Sequence, residues 1–311
     1  MKKLRIFLQI IIGVAIIIFI LMKLDFSEVI SVLGNTDLLF FLLACFFYLC
    51  LNFILSSRLF YLLTKIGYTV KFPKVFFSHM GGMVVGDITP GRSGYFLTPP
   101  ILKKNAGVRI TDGMACIFAP QAVEFILKVA GAVAALVFIS RISNINRNFI
   151  ISALVGVILL MVVGVLMLII SWKSENISSA FLSKIPYLRN FTENLASFKE
   201  RNIGIKGSAG AIILLTIAGW FFAAAQWFFI GKAIGINLPY FTFFLLHPLI
   251  TILMFIPVSP AGLGLMEGGV IVVFSFFGIP SAQGLAFSVL VRVSILLVDM
   301  LGLKSVLSAS K

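Results

Sequence analysis

Long apolar runs alternate with short polar segments along most of the chain. The run at 149–170 contains no charged residue in 22 positions. A bilayer core of roughly 30 Å takes about 20 helical residues at 1.5 Å each. Inside lipid the backbone must bond within its own segment, which favours helices. A β-barrel would show short alternating segments instead. The pattern therefore predicts an all-α polytopic integral membrane protein.

Seven or eight crossings are predicted, within a single transmembrane domain covering 1–311. The predicted spans are 6–22, 38–57, 113–139, 149–170, 207–231, 240–256 and 283–303. Two shorter apolar stretches, 72–85 and 270–277, border interruptions of the apolar pattern. The first would be about 21 Å long as a helix, which is too short to cross easily. We therefore expect one or two re-entrant or broken helices, and 270–277 decides between seven and eight crossings.

Basic residues predict the orientation. Lys2, Lys3 and Arg5 precede the first span and acidic residues follow it. The positive-inside rule then predicts a multi-pass protein of the cell membrane with a cytoplasmic N-terminus.

The polar stretch at 172–206 holds six basic and three acidic residues, so it is also expected to be cytoplasmic. Apolar side chains recur in it at helical spacing, at Leu188, Phe191, Leu195 and Phe198. This spacing predicts an amphipathic helix on the membrane surface. The alternative is a short connecting helix that packs on the protein itself.

Composition supports a membrane protein and argues against several other classes. Hydrophobic residues make up 60% of the chain and charged residues 12%, against about 25% charged in a typical soluble domain. The net charge of +14 lies mostly between apolar runs, where it can meet anionic headgroups. No nucleic-acid module and no nucleotide-binding loop is found, and His79 and His247 are isolated. We therefore expect no nucleic-acid partner, no metal and no cofactor; the oligomeric state stays open.

Two interruptions resemble each other, 170 residues apart. Thr89-Pro-Gly-Arg-Ser-Gly94 and Ser259-Pro-Ala-Gly-Leu-Gly264 share the pattern [Ser/Thr]-Pro-[small]-x-x-Gly. Ser or Thr caps helix starts and Pro suits the first helical position, so each segment is predicted to start a short helix aimed at an anion. Such breaks in corresponding halves, here 1–148 and 149–311, are typical of transporters. The alternative is that the pattern recurs by chance or merely kinks helices.

Ionisable residues at membrane depth indicate function unless they are paired. The candidate lipid-binding residues of the two breaks are Asp87, Thr89, Pro90, Gly91, Arg92, Ser259, Pro260, Gly262, Gly264 and Glu267. Glu124 lies four residues before Lys128, which predicts a self-neutralising pair on one helix face. Arg292 and Asp299 lie seven apart on the last span, and we interpret them as structural, through partners elsewhere or by snorkelling.

These motifs resemble a known family. Pro90-Gly-Arg-Ser-Gly94 with Pro100 and Lys103-Lys104, Pro257-Val-Ser-Pro-Ala-Gly-Leu-Gly-Leu-Met-Glu267, and Arg292 are similar to the signatures of the lysylphosphatidylglycerol synthase transmembrane (flippase-like) family. The resemblance covers nearly the whole chain. In full-length relatives the membrane domain moves aminoacylated phospholipid between leaflets, and a separate cytosolic domain charges the lipid. Because this chain ends at Lys311, just after its last span, we expect a stand-alone membrane domain without the aminoacyl-transferase.

Three functions are compatible with these features, and a flippase-like translocase of an anionic or zwitterionic lipid is favoured. In that hypothesis Arg92 holds the phosphate, while Glu267 and Glu124 meet a cationic headgroup. The second hypothesis is a non-transporting membrane partner of a lipid-modifying enzyme or glycan synthase. The third, an intramembrane enzyme, needs a nucleophile–base pair or a metal cluster that the sequence does not show. We therefore expect no enzymatic activity.

The orientation of 172–206 is testable by glycosylation. Asn176-Ile-Ser178 and Asn190-Phe-Thr192 are acceptor patterns that are modified only on the outer side of a membrane. We expect neither asparagine to be modified when the protein is made in a glycosylating host, as judged by mobility before and after glycosidase. Glycan at either site would contradict the cytoplasmic assignment.

Overall fold

Helices account for almost all regular structure in this computed structural model, which describes residues 11, 15–22, 24, 26–142, 147–172, 204–256 and 258–310. The helices are α1 (Phe26–Gly34), α2 (Leu38–Lys65), α3 (Phe72–Asp87), α4 (Thr98–Ala106), α5 (Ile110–Ile142), α6 (Arg147–Trp172), α7 (Ala209–Ala233), α8 (Tyr240–Thr251), α9 (Leu265–Ser275), α10 (Ser281–Asp299) and α11 (Leu303–Ser310). Short 3-10 helices lie at Ser93–Leu97, Ile252–Phe255 and Met300–Gly302. The all-α prediction is confirmed.

Five helices in the described part of the chain are long and apolar enough to cross a membrane. They are Leu38–Lys65, Ile110–Ile142, Ala153–Trp172, Ala209–Ala233 and Ser281–Ala309. Tyr240–Phe255 and Leu265–Ser275 are shorter apolar helices. Of the predicted first span, residues 15–22 are described and helical, whereas most of the predicted amphipathic segment, 173–203, lies outside the described residues.

Two predicted boundaries need correction. Helix α2 does not end at residue 57 but continues to Lys65, so Arg58 lies inside it and is buried. The apolar pattern resumes after Arg58 and a buried partner offsets its charge, which lets the helix continue through a charged residue. Helix α9 starts at Leu265 rather than at 270, so Glu267 belongs to its first turn.

The outer surface of the fold is more apolar than that of a soluble protein. Leu38 and Leu214 on the outer surface are 66% and 68% exposed, while Asn52, His79 and Gln226 inside the bundle are buried. Apolar side chains on the outside match lipid tails, and polar groups in a membrane protein face the interior of the bundle. The described helices therefore pack around a largely apolar core that also holds a set of polar side chains.

The two interruptions have the same backbone conformation. In the first, Gly91 and Arg92 have φ of 60° and 52°, and the Ser93 N–H donates to the Pro90 carbonyl at 3.2 Å. The second repeats this at Ala261 and Gly262, with φ of 42° and 66° and a closing hydrogen bond of 2.9 Å from Leu263 to Pro260. Two consecutive residues with positive φ define a type I′ turn. Each of the two segments therefore reverses direction in a tight turn and does not start a helix at its proline.

These two turns pair with each other. Pro90 and Pro260 form an antiparallel bridge, and the Ala261 N–H donates to the Thr89 carbonyl at 3.0 Å. The two broken segments therefore lie at the same depth, one from each predicted half. Helices α2 and α7, which also come from different halves, pack along each other over most of their length.

Gly302, which lies just after the end of α10, allows close packing against α3. A Cβ added to Gly302 would overlap the backbone of Met80 and Gly81 on α3. The distance from α3 to the end of α10 therefore depends on the absence of a side chain at this position.

Replacing Gly302 by alanine should separate these segments and destabilise the protein by about 1–3 kcal/mol, the usual cost of overpacking. The midpoint of thermal unfolding in detergent measures the change. Gly210→Ala in α7 is the matched control, because a Cβ there meets nothing within 4 Å. The control should be neutral or gain up to about 1 kcal/mol from helix propensity. Equal midpoints for Gly302→Ala and the wild type would contradict the close contact.

Candidate functional site: a polar cavity beside the paired breaks

A cavity of about 210 Å³ lies at the centre of the helix bundle. Helices α2, α3 and α5 to α10 line it, together with Gly91 and Arg92 of the first type I′ turn and the 3-10 helices Ser93–Leu97 and Ile252–Phe255. Its charged and polar lining consists of Tyr48, Arg58, His79, Arg92, Tyr95, Gln121, Glu124, Lys128, Thr216, Gln226, His247 and Thr251. Three of these side chains are cations and one is an anion, so the lining favours an anionic guest.

Glu124 holds two cations together on one wall of the cavity. Its Oε1 lies 3.0 Å from Lys128 Nζ, and its Oε2 lies 3.6 Å from Arg58 Nη2. Arg58 Nη1 also donates to Thr216 Oγ1 at 2.7 Å, and the Lys128 ammonium lies 4.6 Å from the Phe255 ring centroid. The predicted Glu124–Lys128 pair is present, and Arg58 makes it a triad with one net positive charge.

Two histidines contribute to the lining in different ways. His79 is held between Asn52 Oδ1 and Tyr95 Oη, with both contacts at 3.1 Å. His247 packs edge-on against Trp227, with ring centroids 5.0 Å apart. His79 is therefore fixed in a hydrogen-bonded chain, whereas His247 presents its ring to the cavity through packing alone.

Arg92 enters the cavity from the first turn. Its backbone is left-handed, which is uncommon for a residue with a side chain and is often found at functional sites. Its guanidinium donates to Asp87 Oδ1 at 2.5 Å. Tyr48, which also lines the cavity, donates to Asp299 Oδ2 at 2.9 Å. The Arg92 side chain therefore lines the cavity while its guanidinium is bound to Asp87, which does not line the cavity.

Glu267 has an internal role in the second break. One of its oxygens accepts the Gly264 N–H at 2.7 Å, which caps the start of α9. The Arg292 guanidinium pairs with the same carboxylate and reaches the Ala261 carbonyl at 3.4 Å. Glu267 is buried and does not line the central cavity. The free N–H groups at this helix start are thus partly satisfied by the protein itself.

The prediction that Thr89 and Ser259 cap helices beginning at their prolines is wrong. Thr89 Oγ1 instead accepts the Gly94 N–H at 2.7 Å, and Ser259 Oγ donates to the Leu263 carbonyl at 2.7 Å. Both side chains therefore stabilise the type I′ turns. The positive φ values after each proline exclude a helix there.

The predicted site residues separate into three groups. Gly91, Arg92, Glu124 and Lys128 line the central cavity. Asp87, Pro260 and Arg292 line a second hollow beside the paired turns. The remaining predicted residues, Thr89, Pro90, Ser259, Gly262, Gly264, Glu267 and Asp299, line neither.

Sequence reasoning missed several residues of the lining, above all Arg58, Gln121 and Gln226. Arg58 could have been found, because the apolar pattern continues for five residues beyond it. Gln121 and Gln226 carry no charge and lie within long apolar helices, so nothing in the pattern distinguishes them.

The Glu124 triad predicts unequal effects of single substitutions. Glu124→Gln leaves Arg58 and Lys128 as neighbouring buried cations and should cost about 3 kcal/mol or more. Lys128→Met should cost less, because Arg58 still neutralises Glu124. Combining both should recover part of the loss caused by Glu124→Gln. Thermal unfolding midpoints in detergent test this, with the exposed Glu28→Gln as control. Strictly additive effects would exclude coupling within the triad.

Comparisons with known proteins agree with this architecture. Residues 6–302 match the family described as lysylphosphatidylglycerol synthase TM region. The chain is 25% identical over 217 residues to a UPF0104 membrane protein of Methanocaldococcus jannaschii, covering 68% of this chain and 87% of the relative. It is 22% identical over 218 residues to a UPF0104 membrane protein of Methanothermobacter thermautotrophicus, covering 64% and 63%. The chain belongs to the lysylphosphatidylglycerol synthase transmembrane-region family.

Proposed function

We propose that this protein moves a polar phospholipid between the two leaflets, with the headgroup passing through the central cavity. The observation that carries the proposal is the cavity lining, in which Arg58, Arg92 and Lys128 face one cavity with Glu124. Charged groups at membrane depth cost about 2.5–3.5 kcal/mol or more. Their concentration around one cavity supports a use there, because a packed apolar core would avoid that cost.

The size of the cavity supports entry of a headgroup and excludes a whole lipid. Pockets for drug-sized ligands usually measure about 300–1,000 Å³. A cavity of about 210 Å³ can hold a phosphate and a small attached group, while the acyl chains stay in the surrounding bilayer. This is the geometry expected if the tails remain in lipid while only the polar part enters the protein.

The charges indicate the class of headgroup. The planar guanidinium of Arg92 can bind two oxygens of a phosphodiester at once, and Lys128 can add a point charge. Glu124 offers the nearest carboxylate to an amine carried by the same headgroup. A phosphate with an attached amine, or a phosphate alone, therefore fits the lining. Glu267 is not part of this proposal, because it is buried and does not line the central cavity.

The proposal is tested by reconstituting the pure protein into vesicles with labelled phosphatidylglycerol, phosphatidylethanolamine or aminoacylated phosphatidylglycerol and measuring leaflet exchange. We expect exchange of at least one of these lipids above that of protein-free vesicles. A folded protein that exchanges none of them would contradict translocation and favour the role of a non-transporting partner of another membrane enzyme.

Arg92→Lys should keep the fold and lose about 10- to 100-fold in exchange rate, because lysine keeps the charge but not the fork, and a charged hydrogen bond contributes about 1.5–3 kcal/mol. Arg141→Lys is the matched control, since Arg141 is exposed at the end of α5. Thermal unfolding of both variants verifies the fold. Full exchange by a well-folded Arg92→Ala variant would contradict a role of Arg92 in phosphate binding.

A further inference from the structure

Two buried aspartates lie behind the cavity wall. Asp87 is the last residue of α3 and Asp299 the last residue of α10. Neither lines the central cavity, whereas Arg92 and Tyr48, which contact them, do. The pair is therefore placed one side chain away from the proposed headgroup site.

If both carboxyl groups are ionised, the pair has more hydrogen-bond acceptors than the surrounding donors can satisfy. Asp87 Oδ1 accepts from Arg92, and Asp299 Oδ2 accepts from Tyr48. The other two oxygens, Asp87 Oδ2 and Asp299 Oδ1, are buried and have no donor. The two carboxyl groups also interact with each other, and both interact with the Arg92 guanidinium. An ionised carboxylate only accepts, so the contact between the two carboxyl groups becomes a hydrogen bond only when one group carries a proton.

The charged groups around the two aspartates neutralise one ionised carboxylate but not a second. Arg92, from the first turn, faces both aspartates, and Tyr48, from α2, is neutral. Arg292 lies two turns before Asp299 on α10 but is already paired with Glu267. Asp87 also lies at the negative end of the α3 dipole, which disfavours an anion. Two carboxylates that share a buried site with one cation do not both stay ionised.

A metal ion fits this place poorly. Calcium takes six to eight oxygen ligands, and magnesium demands octahedral geometry. Only two oxygens are without a donor here, and the described residues contain no group of three or more His, Cys, Asp or Glu side chains able to hold a metal. A proton needs only the two opposed oxygens.

We infer that Asp87 and Asp299 bind one proton from water between them, and that this proton and the anionic headgroup bind together. The second part rests on the proposed function. With the proton in place, one carboxylate balances Arg92, and the cavity keeps its positive excess. Without it, two carboxylates attract the guanidinium and weaken its hold on a phosphate. By linkage, headgroup affinity falls as pH rises through the titration of the pair, and headgroup binding takes up a proton.

The proton site is tested first, without added lipid. Infrared spectra of the purified protein in detergent should show the carbonyl stretch of a protonated carboxylic acid, shifted in D₂O. Asp299→Asn should lose this band, while its amide can donate to Asp87 in place of the proton and so preserve the fold. Asp87→Asn is the second variant, and Glu28→Gln on the surface should keep the band. A folded wild-type protein that lacks the band at all pH values overturns the proton site.

Coupling is tested by binding of dihexanoyl phosphatidylglycerol, with glycerol phosphate as a separate probe of the same chemistry. Wild-type affinity should fall about 5- to 150-fold with rising pH, the usual range for coupled sites. Asp299→Asn should keep the higher affinity at every pH, and Glu28→Gln should follow the wild type.

The outcomes separate the two parts of the inference. Wild-type affinity that does not change with pH overturns the coupling, and the infrared band then decides the proton site alone. Equal affinity for glycerol phosphate and for the lipid supports coupling between anion and proton binding. It overturns the assignment of the bound anion to a lipid headgroup. Failure of both probes at every pH overturns the proposed headgroup site and the coupling with it, whereas an infrared band under the same conditions still supports the proton site.

Discussion

The hydrogen bond from the Ala261 N–H to the Thr89 carbonyl joins two segments through which no helix can continue. Backbone polar groups cannot be left without partners in lipid, so a break in a membrane helix requires partners from elsewhere in the protein. Each break supplies them for the other, through the bridge between Pro90 and Pro260. The depth of Arg92, the start of α9 and the position of the central cavity all depend on this pairing.

In the described part of the protein, three groups of buried charges lie around that junction, in addition to the buried Asp112 that pairs with Arg109 elsewhere. Glu267 with Arg292 is neutral and holds the second turn, because the same two side chains also bind the backbone of Gly264 and Ala261. The Glu124 triad carries one net positive charge. The Asp87–Arg92–Asp299 group is neutral when the proposed proton is bound. Charges are strongly felt at low dielectric, so the proposed binding of an anion at Arg92 and of a proton at the aspartate pair would favour each other.

Much of the architecture follows from the sequence by simple physical rules. Apolar runs of about 20 residues must be helices in lipid, and the two segments that combine proline with several glycines interrupt them. Glu124 and Lys128 pair because four residues make one helical turn. These inferences need only local information, since helix length, helix periodicity and proline chemistry act within a few residues. They predicted the all-α class, both breaks and this ion pair.

The tertiary structure alone decided what each polar residue does. Arg92 lies within the first motif and Glu267 lies three residues after the second. Arg92 faces the cavity, whereas Glu267 is paired with Arg292, 25 residues farther along the chain. Arg58 on α2 forms an ion pair with Glu124 on α5. Tyr48 donates a hydrogen bond to Asp299, 251 residues away in the sequence. The sequence by itself determined which apolar runs form helices and which two segments interrupt them, because hydrophobicity and backbone chemistry are local. The partner of each buried charge depends on which helices pack together, and that is a property of the folded chain.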